Sequence, residues 1–202
     1  MRCLSTMVKL SVFVIVAALN AVCVPAAQAE GPRAVPRILA VRKDLGPPPA
    51  GVAELKFRDI FKMPVGDRGL EPSAKLLALD GKRVRIVGFM IHQQPEPIGE
   101  FLLSPLPATI SDEDEPLADD LAPSVIAVKV PGAAEQTIPL LPGLIQICGV
   151  LHVGSGLDAA SGRISSVQIL LDAKPARALL ALHAQHAHAI HNAHRSEQAG
   201  AP

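Results

Sequence analysis

The chain has 202 residues, with 19 basic and 19 acidic side chains, five phenylalanines and neither tryptophan nor tyrosine. Balanced charge argues against a nucleic-acid binder, which requires a basic surface. Set apart from its leader, the length suits one domain plus tails, with a core that must be built from Val, Ile, Leu and Ala.

The N-terminus comes first. Arg2 and Lys9 supply a positive start, Leu10 to Val24 form an apolar run, and Pro25 precedes Ala27-Gln28-Ala29. This is the layout of a secretory signal peptide over residues 1–29, with cleavage after Ala29. The apolar run is shorter than the ~20 residues of a membrane span, so no stable span is expected after cleavage; an uncleaved anchor is the rival reading. A lipid anchor on Cys23 is disfavoured by the bulk of Val22. Export implies a periplasmic or secreted protein in an oxidising compartment. Removing residues 1–29 takes away two basic residues and no acidic ones, leaving 17 against 19. Cys3 and Cys23 leave too, so Cys148 has no intramolecular disulfide partner. In the apolar run LIQICGVL it reads as a buried structural thiol, with a metal-ligand or redox role as the sharper alternative.

Residues 30–53 are rich in proline, alanine and charge, and Pro47-Pro48-Pro49 favours extended backbone. They read as a linker, either a tether or a surface strap. Arg33, Arg37, Arg42 and Lys43 form a basic group there that would suit an anionic envelope surface, or simply a solvated segment. Residues 54–79 lead into the domain, with Leu55, Phe57, Ile60 and Phe61 as apolar anchors. A short helix follows Ser73 as its cap and ends at the Asp80-Gly81 turn.

From residue 82 the pattern turns to β. Five strands are expected, over 82–92, 100–106, 124–130, 144–153 and 163–171, with turn residues in every gap. Gly88 and Gly149, each central in its strand, suit sharp bends in a small barrel. The expected architecture is mainly β, a small five-stranded OB-like Greek-key barrel over 54–172, with a short N-terminal helix and a C-terminal His-rich helix. A β-sandwich is the alternative, for which five strands are few. Between the second and third strands lie Asp112, Glu113, Asp114, Glu115, Asp119 and Asp120. Their spacing does not follow a calcium loop; a solvated acidic loop is the default, and a contact surface for a basic partner the other reading.

The tail, 173–202, begins with Asp172 placed to cap and Pro175 in the first turn of an Ala/Leu-rich helix. Leu179, Leu182 and Ile190 would form its apolar stripe, with Leu180 at the edge. Five of the chain's seven histidines follow: His183, His186, His188, His191 and His194. At about 100° per residue, four of them share a broad arc and His188 lies off it. His183 with His186, and His191 with His194, are i,i+3 pairs that meet on one helix face. Imidazole suits zinc and copper, and a short His-rich tract is a compositional signal for metal binding. The pairs do not close a tetrahedral site, so exchangeable zinc or copper binding is expected; a solvated Ala/His helix without ligand is the plain alternative. His92 and His152, at strand ends, read as rim residues.

Leu79, Asp80, Gly81, Lys82, Val84, Ile86, Gly88, Phe89 and Met90, followed by Phe101, Leu102, Leu103 and Pro105, resemble the L-D-G-K-x-V-x-I-x-G-F/Y-M and F-L-L-x-P strands of a family of uncharacterised bacterial exported proteins. The resemblance is close over 76–107 and loose over 54–171. It implies an OB-like domain, with some members linked to zinc ABC-transport systems of the envelope. Those members carry Cys-x-His and a proline-rich segment after the second strand. This chain has the acidic segment there, so a site carried by that cysteine and histidine is missing.

The sequence holds no G-x-S-x-G, H-E-x-x-H, phosphate loop or C-x-x-C. The expectation is therefore a non-enzymatic exported protein that buffers zinc or copper, or passes it to an envelope transporter. A protein-interaction module of the envelope without a metal role is the alternative, and an unrecognised enzyme a third. Oligomeric state and partner identity are not encoded in any motif.

Overall fold

A computed structural model describes residues 34–111, 121–157, 164–182 and 184. The architecture is mainly β. The strands are β1 (Ala53–Glu54), β2 (Arg83–Met90), β3 (His92–Gln94), β4 (Glu100–Ser104), β5 (Thr109–Ser111), β6 (Ile126–Lys129), β7 (Leu144–Leu157) and β8 (Ile164–Leu171). A 3-10 turn, Phe57–Asp59, and helix α1, Ala74–Ala78, precede β2, and a second helix, α2, runs over 173–182.

Six strands form one sheet in the order β1-β2-β4-β6-β8-β7, and β2 also pairs with β7. The pairing is therefore circular through β2, β4, β6, β8 and β7, with β1 attached in parallel beside the start of β2. Antiparallel pairs join β2 to β4 and β7, β4 to β6, and β7 to β8; β6 and β8 run parallel. The expected count of five strands is thus corrected. All five have counterparts in the ring, while β1, β3 and β5 are additional and short, and β3 and β5 form a separate parallel pair.

Period-two alternation sorts the faces. In β2, Val84, Ile86, Gly88 and Met90 are buried; in β7, Ile145, Ile147, Gly149 and Leu151 are. With Phe101, Leu103, Ile126, Val128, Val167, Ile169 and Leu171 they make the main core. A smaller cluster of Ile91, Leu102 and Ala127 lies on the opposite side of β4 and β6, beneath Ala108, Ile110, Leu121 and Val125. The flanks of the acidic segment thus pack as a small second layer, and β4 is apolar on both faces because both are covered.

The expected short helix is α1. Ser73 caps it, its Oγ accepting from the Leu76 amide at 3.0 Å while donating to the Asp59 carbonyl, and Leu76 is fully buried. Burial pushes the Asp59 carboxyl up, but the hydrogen bond from Lys75 and the Lys56 amide outweigh it and hold the group below its ordinary value. Ser73→Ala removes both bonds of the hydroxyl. We expect it to lower stability by about 1–2 kcal/mol, read as a shift of the urea midpoint at unchanged slope; an unchanged midpoint would remove the cap from the account. The Asp80-Gly81 turn forms with Gly81 at φ 70°, and Asp80 Oδ1 accepts the Val153 amide at 2.9 Å, docking the turn on β7.

Two outer segments close the ring's surface. The sequence leaves 30–53 open between tether and strap, and its described part is a strap: Leu39 and Val52 are buried in the domain, and Ala40 bridges to Ile145. Helix α2 buries Ala176 and Leu179, with Leu180 and Leu182 against the same core. Asp172 precedes α2, but its carboxylate forks onto Arg83, Nη2 to Oδ2 at 2.5 Å and Nε to Oδ1 at 3.3 Å. That pair ties the end of β8 to the start of β2.

Candidate functional site

His183, His186, His188, His191 and His194 all lie outside the described residues, as do the signal segment 1–29 and the acidic positions 112–120. The structure brings their base, α2, onto the core one residue before the first histidine. Among the described residues, no three His, Cys, Asp or Glu side chains converge to hold a metal ion. His152 is exposed. His92 is half-buried at the start of β3, where its amide donates to the Ala108 carbonyl and its Nε2 lies 3.3 Å from the Gln94 amide nitrogen.

Cys148 is half-buried, less enclosed than the expected buried structural thiol. It sits opposite Arg85 in the β2–β7 register, on the alternate face from Ile147 and Gly149. Burial, then the Asp172 charge, raise its pKa against the opposing pull of Arg85 and Arg83. A raised pKa keeps the sulfur a thiol, the less reactive form.

Two clefts among the described residues bear on function. One, of about 390 Å³, lies among Phe89, Met90, His92, Thr109, Leu140 and Pro142. Near its rim the apolar side chains of Leu106 and Leu144 are 68% and 47% exposed. The other, of about 510 Å³, lies over Arg85 and Val87, between the strap and the segment that leads into the 3-10 turn. Arg85 is its centre. The residue falls on the outward face of β2 by alternation, yet it is only 4% exposed because the strap covers it. Nη1 donates to the carbonyls of Leu45 and Pro47 at 3.1 and 3.4 Å, and Nη2 to Gly46 O at 2.8 Å and Glu54 Oε2 at 2.9 Å. Sequence reasoning missed this cleft, because its walls come from three separated segments. The one available signal was an arginine in the middle of an apolar strand.

These features define a β-rich domain with a circular strand pairing and a strap-covered arginine. No family model matches the chain, and no curated protein does. Among solved structures it is similar to a DUF3299 family protein from Pseudomonas aeruginosa, at 12% identity and a TM-score of 0.36, over 59% of this chain and 91% of that one. No described helix is long and apolar enough to cross a membrane.

Proposed function

We propose that the protein is an exported, OB-like barrel that handles a transition metal through its C-terminal histidines, without itself being an enzyme. The ring order and the parallel β6–β8 pair support the OB-like reading, which fits a five-stranded Greek-key barrel. The signal-peptide pattern supports export to the periplasm or beyond. One observation carries the metal role: His183, His186, His188, His191 and His194 crowd into twelve positions directly after a helix whose base is packed on the core. Neutral imidazoles would ligate zinc or copper exchangeably, and the metal would supply no chemistry beyond its own transport. The resemblance to envelope proteins linked with zinc transport supports an accessory role beside a transporter.

The test is a calorimetric titration of zinc and copper into the form beginning at Glu30 and into the same form ended after Leu182. That end point keeps Ala176, Leu179 and Leu182, which an earlier cut would remove from the core. A companion variant replaces the five histidines by alanine. Binding is expected in the intact form only, weakening as pH falls below the imidazole range near ~6.5, where the ligands take up protons. Equal binding by all three forms, or binding by none, would defeat the proposal.

A second reading, an envelope interaction module, is favoured by the exposed Leu106 and Leu144 beside the Phe89 cleft. Loss of metal binding with the tail would leave that surface as a separate property of the barrel.

A further inference from the structure

The cleft over Arg85 has the composition of a ligand site. Its size falls within the ~300–1,000 Å³ typical of small-molecule pockets. Val41, Leu45, Phe57 and Val87 give it apolar walls. Its charged lining is Lys56, Arg58 and Arg85 against Glu54 alone.

The acids nearby are already committed. Glu54 holds Arg85 at 2.9 Å and Lys56 at 3.9 Å. Asp59, next to Arg58 in the chain, holds Lys75 at 2.6 Å. Arg58 is exposed, and no described acid pairs with it.

Arg85 adds a second observation. A guanidinium has five N–H donors. Four face protein oxygens, from Leu45, Gly46, Pro47 and Glu54. The remaining donor, Nε, is buried and has no partner among the described residues. A buried donor without a partner is costly, so each such group calls for an explanation. The strap carbonyls and Glu54 fix the guanidinium in place.

We propose that this cleft binds a small amphiphilic anion, with a carboxylate or phosphate head on an apolar body. The head is held by Lys56 and Arg58, in the field of the fixed Arg85 guanidinium. The body covers Val41, Leu45, Phe57 and Val87. The site is independent of the histidine tail and stands or falls apart from metal binding.

The probes are decanoate, decyl phosphate and decanol, each titrated calorimetrically into the full chain, the two anions below their micellar concentrations and decanol below its solubility limit. At least one anion is expected to bind about tenfold tighter than decanol, and the tighter one names the head group. Lys56→Gln with Arg58→Gln should weaken that anion by about tenfold, and added salt should weaken it in the unaltered chain. The five-histidine variant should bind it unchanged. Methyl resonances of Val41, Leu45 and Val87 should shift on binding, which locates the ligand without any substitution. Decanol binding as tightly as both anions, an unaffected double variant, or methyl shifts elsewhere would overturn the proposal.

Discussion

Gly149→Ala is expected to cost about 3 kcal/mol of stability, the upper part of the overpacking range. Gly149 lies where β7 is paired on both sides, to Val84 of β2 and to Leu171 of β8. Its face is the buried one. A Cβ built there would fall against the Leu170 carbonyl oxygen, with Ile169 Cγ2 at 2.7 Å and the Leu170 carbonyl carbon at 2.9 Å. Backbone atoms of a paired strand cannot step aside without loss of the ladder. Intrinsic strand preference favours alanine over glycine only weakly, so sterics decide the sign.

Gly156→Ala is the internal control. Its Cβ would also meet a neighbour, but that neighbour is the end of the Gln168 side chain. A glutamine amide can rotate away, and Gly156 sits beyond the irregularity between Val153 and Gly156, near the tip of the β7–β8 hairpin. A change within about 0.5 kcal/mol is expected there, the range of uncomplicated surface substitutions. Urea unfolding of both variants measures the contrast. Equal midpoints would show that the close approach at Gly149 does not hold the ring together.

The same glycine shows what the sequence makes legible. Strands β2, β4, β6, β7 and β8 are visible because each carries alternating or continuous apolar residues, and turn residues bound them. Gly88 and Gly149 are readable as bends for the same reason: they interrupt apolar runs without ending them. Ser73 and the Asp80-Gly81 turn are local signals, and local chemistry made them. Strands β1, β3 and β5 are different. They are two or three residues long, and their pairing comes from neighbours distant in sequence, so periodicity has nothing to act on. Alternation marks Arg85 as solvent-facing, and only the strap, pinned through backbone carbonyls of a proline-rich stretch, makes it buried. Carbonyls carry no side-chain signature, which is why the cleft was invisible. The histidine tract is legible from composition alone, whereas its ligand geometry depends on residues after 182.

The second large effect is expected at Arg85. Arg85→Leu fills the same space with apolar atoms but leaves three strap carbonyls and Glu54 without their donor. Breaking a buried ion pair from one side costs about 3–5 kcal/mol. Two features reduce this. The Glu54 side chain is 33% exposed and can regain water, and the substitution removes the unpartnered Nε–H, whose own burial is unfavourable. A net loss of about 3 kcal/mol follows, at the lower end of that range. The loss should be local as well as global. Residues 44–52 are fastened to the sheet chiefly through this guanidinium, so their amides should exchange faster and the strap should become sensitive to protease, while exchange in β6 and β8 changes only as far as global stability does. Glu54→Gln keeps a hydrogen-bond acceptor and the three carbonyl contacts, so it should cost about 1 kcal/mol, a single bond's worth, without freeing the strap. An Arg85→Leu protein with an unchanged urea midpoint, or with a strap still protected from exchange, would show that the buried Leu39 and Val52 hold this segment without the arginine. In that case the four hydrogen bonds serve to aim the guanidinium rather than to fasten the chain.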